Sequence, residues 1–138
     1  MKMNQMTVRY RDGDSLEIVV RGHRVIVDQP VGAGGADEGP TPTELFIAGL
    51  ASCVGFYAER FLRRHSLPVE GLEVRCQFAM DPDAARVASV QLGVAVPAFL
   101  NETHRRALVA VVDHCTVHNS IRQEPEVGIA IQIHSAAA

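Results

Sequence analysis

The chain has 138 residues, of which 47% are hydrophobic and 21% charged, an ordinary composition for a single globular domain. At this length about 70% of the unfolded surface can be buried, so the three cysteines are not needed as a disulfide framework. The 13 basic and 16 acidic residues give a net charge of −3 and form no basic stripe, which argues against a nucleic-acid partner.

The first 28 residues predict a small antiparallel sheet. Residues 1–8 contain one lysine and no apolar run, so we expect no secretory signal and a cytoplasmic protein with reduced thiols. Three β-prone runs follow, at residues 7–10, 16–20 and 25–27, and glycine-containing turns separate them. This pattern predicts a three-stranded meander. The glycine-rich residues 30–40 lack the spacing of a phosphate-binding loop, so we expect a mobile loop there.

A long apolar helix is predicted over residues 42–65. Thr41, Pro42 and Glu44 occupy the N-cap, N1 and N3 positions of a capping box. Between residues 45 and 58 the single clearly polar side chain is Ser52, so we expect this helix to be buried on all sides. The apolar stretch is shorter than the roughly 18 to 20 residues that span a bilayer, which favours a core helix and no membrane partner.

The length of this helix predicts a homodimer. At 1.5 Å per residue it extends about 36 Å, whereas a compact chain of this size has a radius of gyration of about 14 Å. One small chain has difficulty covering such a helix on all sides. We therefore expect a second copy to provide the missing cover, in an intertwined homodimer with the helix near the interface.

The second half of the sequence predicts an antiparallel hairpin, a helix and a final strand. Apolar residues alternate over 72–78 and 90–96, on either side of a turn at residues 81–83. Asn101 is a predicted helix N-cap, and Leu108, Val111, Val112 and Cys115 form an apolar stripe on that helix. Alternation over residues 127–133 predicts a last strand, and residues 135–138 a tail. The fold class is α+β in the order βββ-α-ββ-α-β, as a single domain over residues 1–138.

The three cysteines occupy different settings. Cys76 is predicted on the inward face of a strand, where a free cysteine acts as a small hydrophobe. Cys53 lies in mid-helix with Gly49 one turn before it, which leaves space beside the sulfur, although a packed core thiol is also compatible with this position. Cys115 is followed by His118, but no metal-ligand motif supports a zinc site there, so we expect no metal.

Two motifs resemble the OsmC/Ohr family of osmotically inducible and organic hydroperoxide resistance proteins. Residues 39–53 read GPTPTELFIAGLASC, which is similar to the family's central helix signature. Residues 114–121 read HCTVHNSI and resemble its second cysteine motif, although Thr116 replaces the usual proline. Both motifs occur in register, and the order of predicted elements extends the resemblance over nearly the whole chain. The resemblance implies antiparallel sheets wrapped round a long buried central helix.

The same resemblance implies roles for particular residues. By this analogy Cys53 attacks the peroxide, and Cys115 resolves the resulting sulfenic acid by forming an intrachain disulfide. An arginine from the N-terminal strands, held by a glutamate at the start of the helix, activates the family's cysteine. Arg11 is the best match, with Arg9, Arg21 and Arg24 as open alternatives. Because Glu44 lies one position later than the family's glutamate, it is either part of this site or only a helix cap.

The resemblance implies a thiol-dependent peroxidase for organic, lipid-type hydroperoxides that acts in oxidative stress defence. A dithiol or lipoyl-protein reductant is implied as the electron donor. No flavin, haem or nicotinamide fingerprint is present, so we expect no cofactor. The alternative is a non-catalytic protein of the same fold that senses redox state through the cysteine pair or binds a small apolar ligand.

Overall fold

The computed structural model describes residues 1–134, which leaves the predicted tail at residues 135–138 outside the described part. Its elements follow the order βββ-α-ββ-αα, in two antiparallel sheets and three α-helices among the described residues. They are β1 (Thr7–Asp12), β2 (Ser15–Val20), β3 (His23–Val27), α1 (Pro42–Arg64), β4 (Glu73–Met80), β5 (Val87–Ala95), α2 (Glu102–Asp113) and α3 (Thr116–Arg122). A short 3₁₀ turn, Val31–Ala33, lies between β3 and α1. The predicted α+β class is confirmed.

The N-terminal sheet has the strand order β1-β2-β3 with antiparallel pairing throughout. Arg21 and Gly22 join β2 to β3 with φ angles of 48° and 81°, the left-handed conformations that a two-residue hairpin turn requires. All of β1 is exposed, including Val8 and Tyr10. The strands of this sheet contact mainly one another, whereas α1 packs on β4, β5, α2 and α3. Among residues 1–134, therefore, the second sheet is the one that packs closely against the central helix.

The helix α1 begins with the predicted capping box. The backbone amide of Glu44 donates to the Thr41 hydroxyl over 3.1 Å, and the Thr41 amide donates to the Glu44 carboxylate over 2.9 Å. These bonds satisfy two backbone donors that a helix start leaves free. The helix ends at Arg64, and His65 is its C-cap.

One face of α1 forms the core of the chain. Its buried side chains are Ile47, Leu50, Val54, Ala58, Phe61 and Leu62. The prediction of burial on all sides is wrong for the single chain, since Phe46 is 49% and Phe56 51% exposed. Among the described helices, α1 is the one whose length and composition would permit a membrane crossing. A core helix passes the same test, and the buried face of α1 packs on protein.

The hairpin of β4 and β5 covers part of the buried face of α1. Cys76 pairs with Leu92, and Val74 pairs with Val94, in the antiparallel register. Val74, Val90, Leu92 and Val94 pack on the same cluster as Leu50 and Val54 of α1. The alternation of apolar and polar residues therefore correctly predicts which face of this sheet is covered where the sheet packs on α1. Farther along, Phe78 is 41% exposed.

The apolar stripe predicted that Cys115 lies on the second helix, and this prediction is wrong. Asn101 caps α2 as expected, accepting a 2.8 Å bond from the amide of His104, but the helix ends at Asp113. Cys115 has extended backbone angles and is the N-cap of the separate helix α3. The stripe ends where the chain turns, because helical spacing does not reveal a break of two residues between helices. Cys115 is nevertheless completely buried.

The predicted final strand is absent from the described chain. Residues 124–134 have no regular secondary structure and pair with neither sheet. The alternating residues Val127, Ile129, Ile131 and Ile133 are between 75% and 88% exposed. Alternation predicts that one face of a strand is covered, but it does not say which chain covers it. Within residues 1–134 no strand edge pairs with the segment.

The glycine-rich loop is organised by hydrogen bonds to Asp28. The sequence predicted a mobile loop here and did not predict these contacts. The Asp28 carboxylate is 2% exposed and accepts hydrogen bonds from the amides of Gln29, Ala36 and Glu38. These bonds, with that of the Glu38 amide as the largest cause, hold the pKa of Asp28 below its usual value. The loop therefore closes on a buried carboxylate and places Glu38 at its rim.

Candidate thiol site

The structure brings Cys53 and Cys115 together. Cys115 forms a buried cluster with Leu50 and Val54 of α1, and the half-buried Cys53 packs against this cluster. The two thiols are close enough for Cys53 to raise the pKa of the Cys115 thiol. Both cysteines are free thiols. One turn of α1 and the start of α3 thus hold two thiols side by side in an apolar setting.

The setting of Cys115 keeps its thiol protonated. Burial raises its pKa above the ordinary value, and the neighbouring Cys53 raises it further, whereas the backbone amides of His118 and Val117 act in the opposite direction. Since the thiolate is the nucleophile and the thiol is not, Cys115 is poorly suited to begin an attack at neutral pH. It is well placed to react with a neighbouring sulfur that has already been oxidised.

A hydrogen bond between helices fixes the position of Cys115. The Tyr57 hydroxyl lies 2.8 Å from the Thr116 hydroxyl, which links α1 to the first residue of α3. Tyr57 is one turn after Cys53, and Thr116 directly follows Cys115, so this bond spans the cysteine pair. Thr116 occupies the position where the resembling motif has proline, which carries no hydroxyl. The chain therefore makes a contact here that proline could not make.

Arg11 lies in the N-terminal sheet and pairs with Glu38. The register of β1 shifts between Tyr10 and Asp12, and such a bulge turns a side chain away from the regular ladder. The Arg11 guanidinium donates to Glu38 over 2.8 Å and reaches the Ser15 hydroxyl at 3.4 Å. The contacts described for Arg11 include neither Cys53 nor Cys115.

Glu44 is part of the helix start, and Glu38 provides the carboxylate that holds Arg11. The Glu44 side chain accepts the Thr41 amide in the capping box, so its carboxylate is occupied at the N-terminus of α1. Sequence reasoning missed Glu38 because its position depends on the loop contacts of Asp28. The one local feature that could have indicated Glu38 is its position, as an acidic residue at the end of a glycine-rich segment just before the helix cap.

Cys76 of β4 is a half-buried free thiol opposite Leu92, and it is not among the residues that pack against the cluster of Cys115 in the described chain. His118 contributes its backbone amide to the surroundings of Cys115. Within residues 1–134, no three histidine, cysteine or acidic side chains group closely enough to hold a metal ion.

The structure is therefore that of an α+β protein with two neighbouring thiols, one in the central helix α1 and one at the start of α3. The family of OsmC-like proteins matches this sequence over residues 34–130, which includes both cysteine motifs. The chain therefore belongs to the OsmC-like family. No curated protein sequence matches it significantly.

Solved structures with the same fold come from several bacteria. A protein provisionally described as an osmotic stress induced and detoxification response protein from Psychrobacter arcticus has a TM-score of 0.78 at 22% identity, covering 87% of this chain and 89% of that one. An OsmC-like protein from Mycoplasma pneumoniae has a TM-score of 0.74 at 16% identity, covering 89% of each chain. The organic hydroperoxide resistance protein OhrB of Bacillus subtilis has a TM-score of 0.57 at 21% identity, covering 87% and 92%. At these identities the likeness defines the shared fold.

Proposed function

We propose that this chain is a thiol-dependent peroxidase that reduces organic hydroperoxides to alcohols. The observation that carries the proposal is the packing of Cys53 against the apolar cluster that contains Cys115. A protein whose name records resistance to organic hydroperoxides shares the fold, and the family match includes both cysteines. An apolar setting favours hydroperoxides with hydrocarbon groups over hydrogen peroxide.

The first step uses Cys53 as the nucleophile. Its thiolate attacks the terminal oxygen of the hydroperoxide, the O–O bond breaks, and the departing alkoxide takes up a proton to become the alcohol. Cys53 is left as a sulfenic acid. The sulfur donates two electrons in this step, and the peroxide accepts them. A positive charge beside the departing oxygen would lower the barrier, since it stabilises the charge that develops there.

The second step uses Cys115 to protect the oxidised sulfur. Its sulfur displaces water from the Cys53 sulfenic acid, and a Cys53–Cys115 disulfide forms. A sulfenic acid that lacks such a partner can be oxidised further to an irreversible state. A dithiol, such as that of a lipoyl protein, then reduces the disulfide by two thiol exchanges and becomes a disulfide itself. A cytoplasmic location fits this cycle because the cytoplasm keeps thiols reduced.

We further propose a homodimer in which a second copy covers the exposed face of α1. Phe46 and Phe56 lie on that face, while the N-terminal sheet and the residues 127–133 expose apolar side chains of their own. Thr41 caps α1 twelve residues before Cys53, about 18 Å along the helix axis, and Glu38, which holds Arg11, precedes that cap in the chain. In this arrangement Arg11 serves the cysteine of the other copy.

Intact-mass measurement after addition of one equivalent of cumene hydroperoxide tests the peroxidase. The wild-type chain is expected to lose two hydrogen atoms within seconds as the disulfide forms. Cys53→Ser is expected to leave both protein and peroxide unchanged. Cys115→Ser is expected to turn over once and gain one oxygen atom, and a second equivalent of peroxide should oxidise it further. A dithiol should restore the wild-type mass and sustain turnover.

Cys76→Ser is the matched control, since it removes a thiol outside the pair and should behave as the wild type does. Equal activity of the Cys53 and Cys115 variants would contradict the division of roles. Oxidation of the wild type over hours would instead favour a redox-sensing or ligand-binding protein of the same fold.

A further inference from the structure

A cleft of about 330 Å³ opens beside the C-terminal half of α1, within the size range of small-ligand sites. Phe61 of α1 and Val111 of α2 give it an apolar wall. Its polar side chains are Tyr57, Arg60, Arg64 and His65. The cleft thus combines an apolar surface with two guanidinium groups.

The two arginines of the cleft are available to a ligand. Arg63, their neighbour on the helix, is held by Glu59 at 2.8 Å. The ion pairs formed among residues 1–134 include neither Arg60 nor Arg64. Arg60 instead lies over the Phe56 ring, 5.4 Å from its centroid, which leaves the edge of its guanidinium able to donate.

His65 closes the cleft at the end of α1. Its ring stacks on Phe61 with centroids 4.1 Å apart and lies 4.9 Å from the ring of His104. The Nδ1 atom of His65 lies 2.8 Å from the Phe61 carbonyl oxygen. This packing fixes the orientation of the ring, so the far end of the cleft is rigid and the arginines border it.

The cleft and Cys53 lie on the same side of α1. Residues 53, 57, 60 and 64 are separated by four, three and four positions, which places them on one side of the helix. Tyr57 lines the near end of the cleft, and its hydroxyl contacts Thr116 beside Cys115. From Cys53 to the two arginines the axial distance is about 10 to 16 Å at 1.5 Å per residue.

We propose that Arg60 and Arg64 bind the carboxylate of a fatty-acid hydroperoxide, whose hydroperoxide group, farther along the hydrocarbon chain, lies at Cys53. The proposal rests on the peroxidase function and specifies its substrate and the side chains that select it. Guanidinium groups bind carboxylates with paired, charge-assisted hydrogen bonds. With C–C bonds of about 1.5 Å near tetrahedral angles, an extended chain of roughly 8 to 13 carbons spans the distance between the two sites.

Three substrates test the proposal: the hydroperoxide of linoleic acid, its methyl ester, and cumene hydroperoxide as the reference for each variant. For the wild type, we expect kcat/KM to be about tenfold higher for the acid than for the ester, the size expected of a partly exposed charged hydrogen bond. Arg60→Gln and Arg64→Gln should each reduce this ratio, and the double variant should bring it close to one. Arg63→Gln is the matched control, because it makes the same charge change outside the cleft and should retain the ratio.

Two results would overturn the inference: equal use of acid and ester by the wild type, or an unchanged preference in the double variant. Failure to reduce any of the three hydroperoxides would instead refute the peroxidase function. In that case, calorimetric titration with linoleic acid tests the cleft alone. Binding by the wild type that the double variant loses supports the carboxylate site, and no binding by the wild type refutes it.

Discussion

Cys115 is the fully buried member of the cysteine pair, and its surroundings assign it the later role in the proposed cycle. Burial and the adjacent Cys53 favour its protonated form, while the same packing keeps it next to the sulfur it would trap. Half-buried Cys53 has more room for a peroxide. The chemical difference between two identical side chains therefore comes from where α1 and α3 place them.

The raised pKa of Cys115 predicts a loss of stability in alkaline solution. The folded chain keeps a proton that the unfolded chain releases near pH 8.5, so the contribution is complete below that pH and is lost as the pH rises through the folded pKa. For the reduced protein we expect the free energy of unfolding to decrease above about pH 8.5, by at most about 1.4 kcal/mol per pH unit from this thiol. Urea unfolding between pH 7 and pH 10 measures it.

Cys115→Ala should remove that component of the pH dependence, whereas Cys76→Ala should retain it. If the free energy of unfolding changed with pH in the same way for the wild type and Cys115→Ala, the Cys115 thiol would have the same pKa in the folded and the unfolded chain.

The hydrogen bond from Tyr57 to Thr116 predicts an effect on both stability and resolution of the sulfenic acid. Tyr57→Phe removes the 2.8 Å contact and should destabilise the fold by about 1 kcal/mol. Because α3 then loses a link to α1, we also expect the disulfide to form more slowly after peroxide is added. Stopped-flow mixing, with peroxide loss and disulfide formation followed separately, measures the second effect.

Tyr10→Phe is the control, since Tyr10 is 70% exposed on β1 and should change neither quantity. If Tyr57→Phe slowed peroxide loss but not disulfide formation, the hydroxyl would act on Cys53 and not through α3.

Among the elements, those with local signals were predictable and those that depend on distant contacts were not. The capping box of Thr41 and Glu44 and the turn at residues 81–83 are encoded in neighbouring residues, so sequence alone places α1 and the second hairpin. The end of α2 is different, because apolar spacing continues through the break before Cys115. Glu38 is also unpredictable locally, since hydrogen bonds to Asp28 determine where it lies.

The loop before α1 predicts a sharp difference between two glycines. A Cβ at Gly39 would lie 2.1 Å from the carbonyl oxygen of Ile26, whereas a Cβ at Gly32 would meet nothing within 4 Å. Gly39→Ala should therefore displace the loop from β3, lower the Tm and weaken the Arg11–Glu38 pair. Gly32→Ala should leave the Tm nearly unchanged. Thermal unfolding followed by circular dichroism measures both.

Equal melting temperatures for the two variants would mean that the loop moves away from β3 without cost. The comparison is matched because both changes add one methyl group to the same loop.

The whole chain has more exposed apolar structure than its size requires. Phe46 and Phe56 of α1, the N-terminal sheet and the residues 127–133 present apolar side chains to solvent, although the composition could support a well-covered core. The sequence predicted that α1 is buried on all sides and that residues 127–133 form a strand, and both predictions are wrong for the single chain. It could not say whether the cover comes from the same chain, because periodicity contains no information about chain identity.

We expect the wild type to sediment as a dimer with twice the 15.0 kDa mass of one chain. Phe46→Glu places a charge on the exposed face of α1 and should shift the protein toward the single-chain mass, since burying an unpaired charge is costly. Phe99→Glu makes the same change at a residue that is 91% exposed outside the helix and should leave the mass unchanged. Analytical ultracentrifugation distinguishes these outcomes, and a wild type at the mass of one chain would contradict the dimer.

The position of Cys115 between two helices has a mechanical consequence. A sulfur within a long helix can approach another only if the whole rod shifts or unwinds, whereas a junction residue can follow its partner by a small rotation of the short segment behind it. The seven residues of α3 and the chain beyond them would then swing with each catalytic cycle while α1 stays fixed. Amide exchange in that segment would thus report the oxidation state of the buried pair to the outside of the molecule.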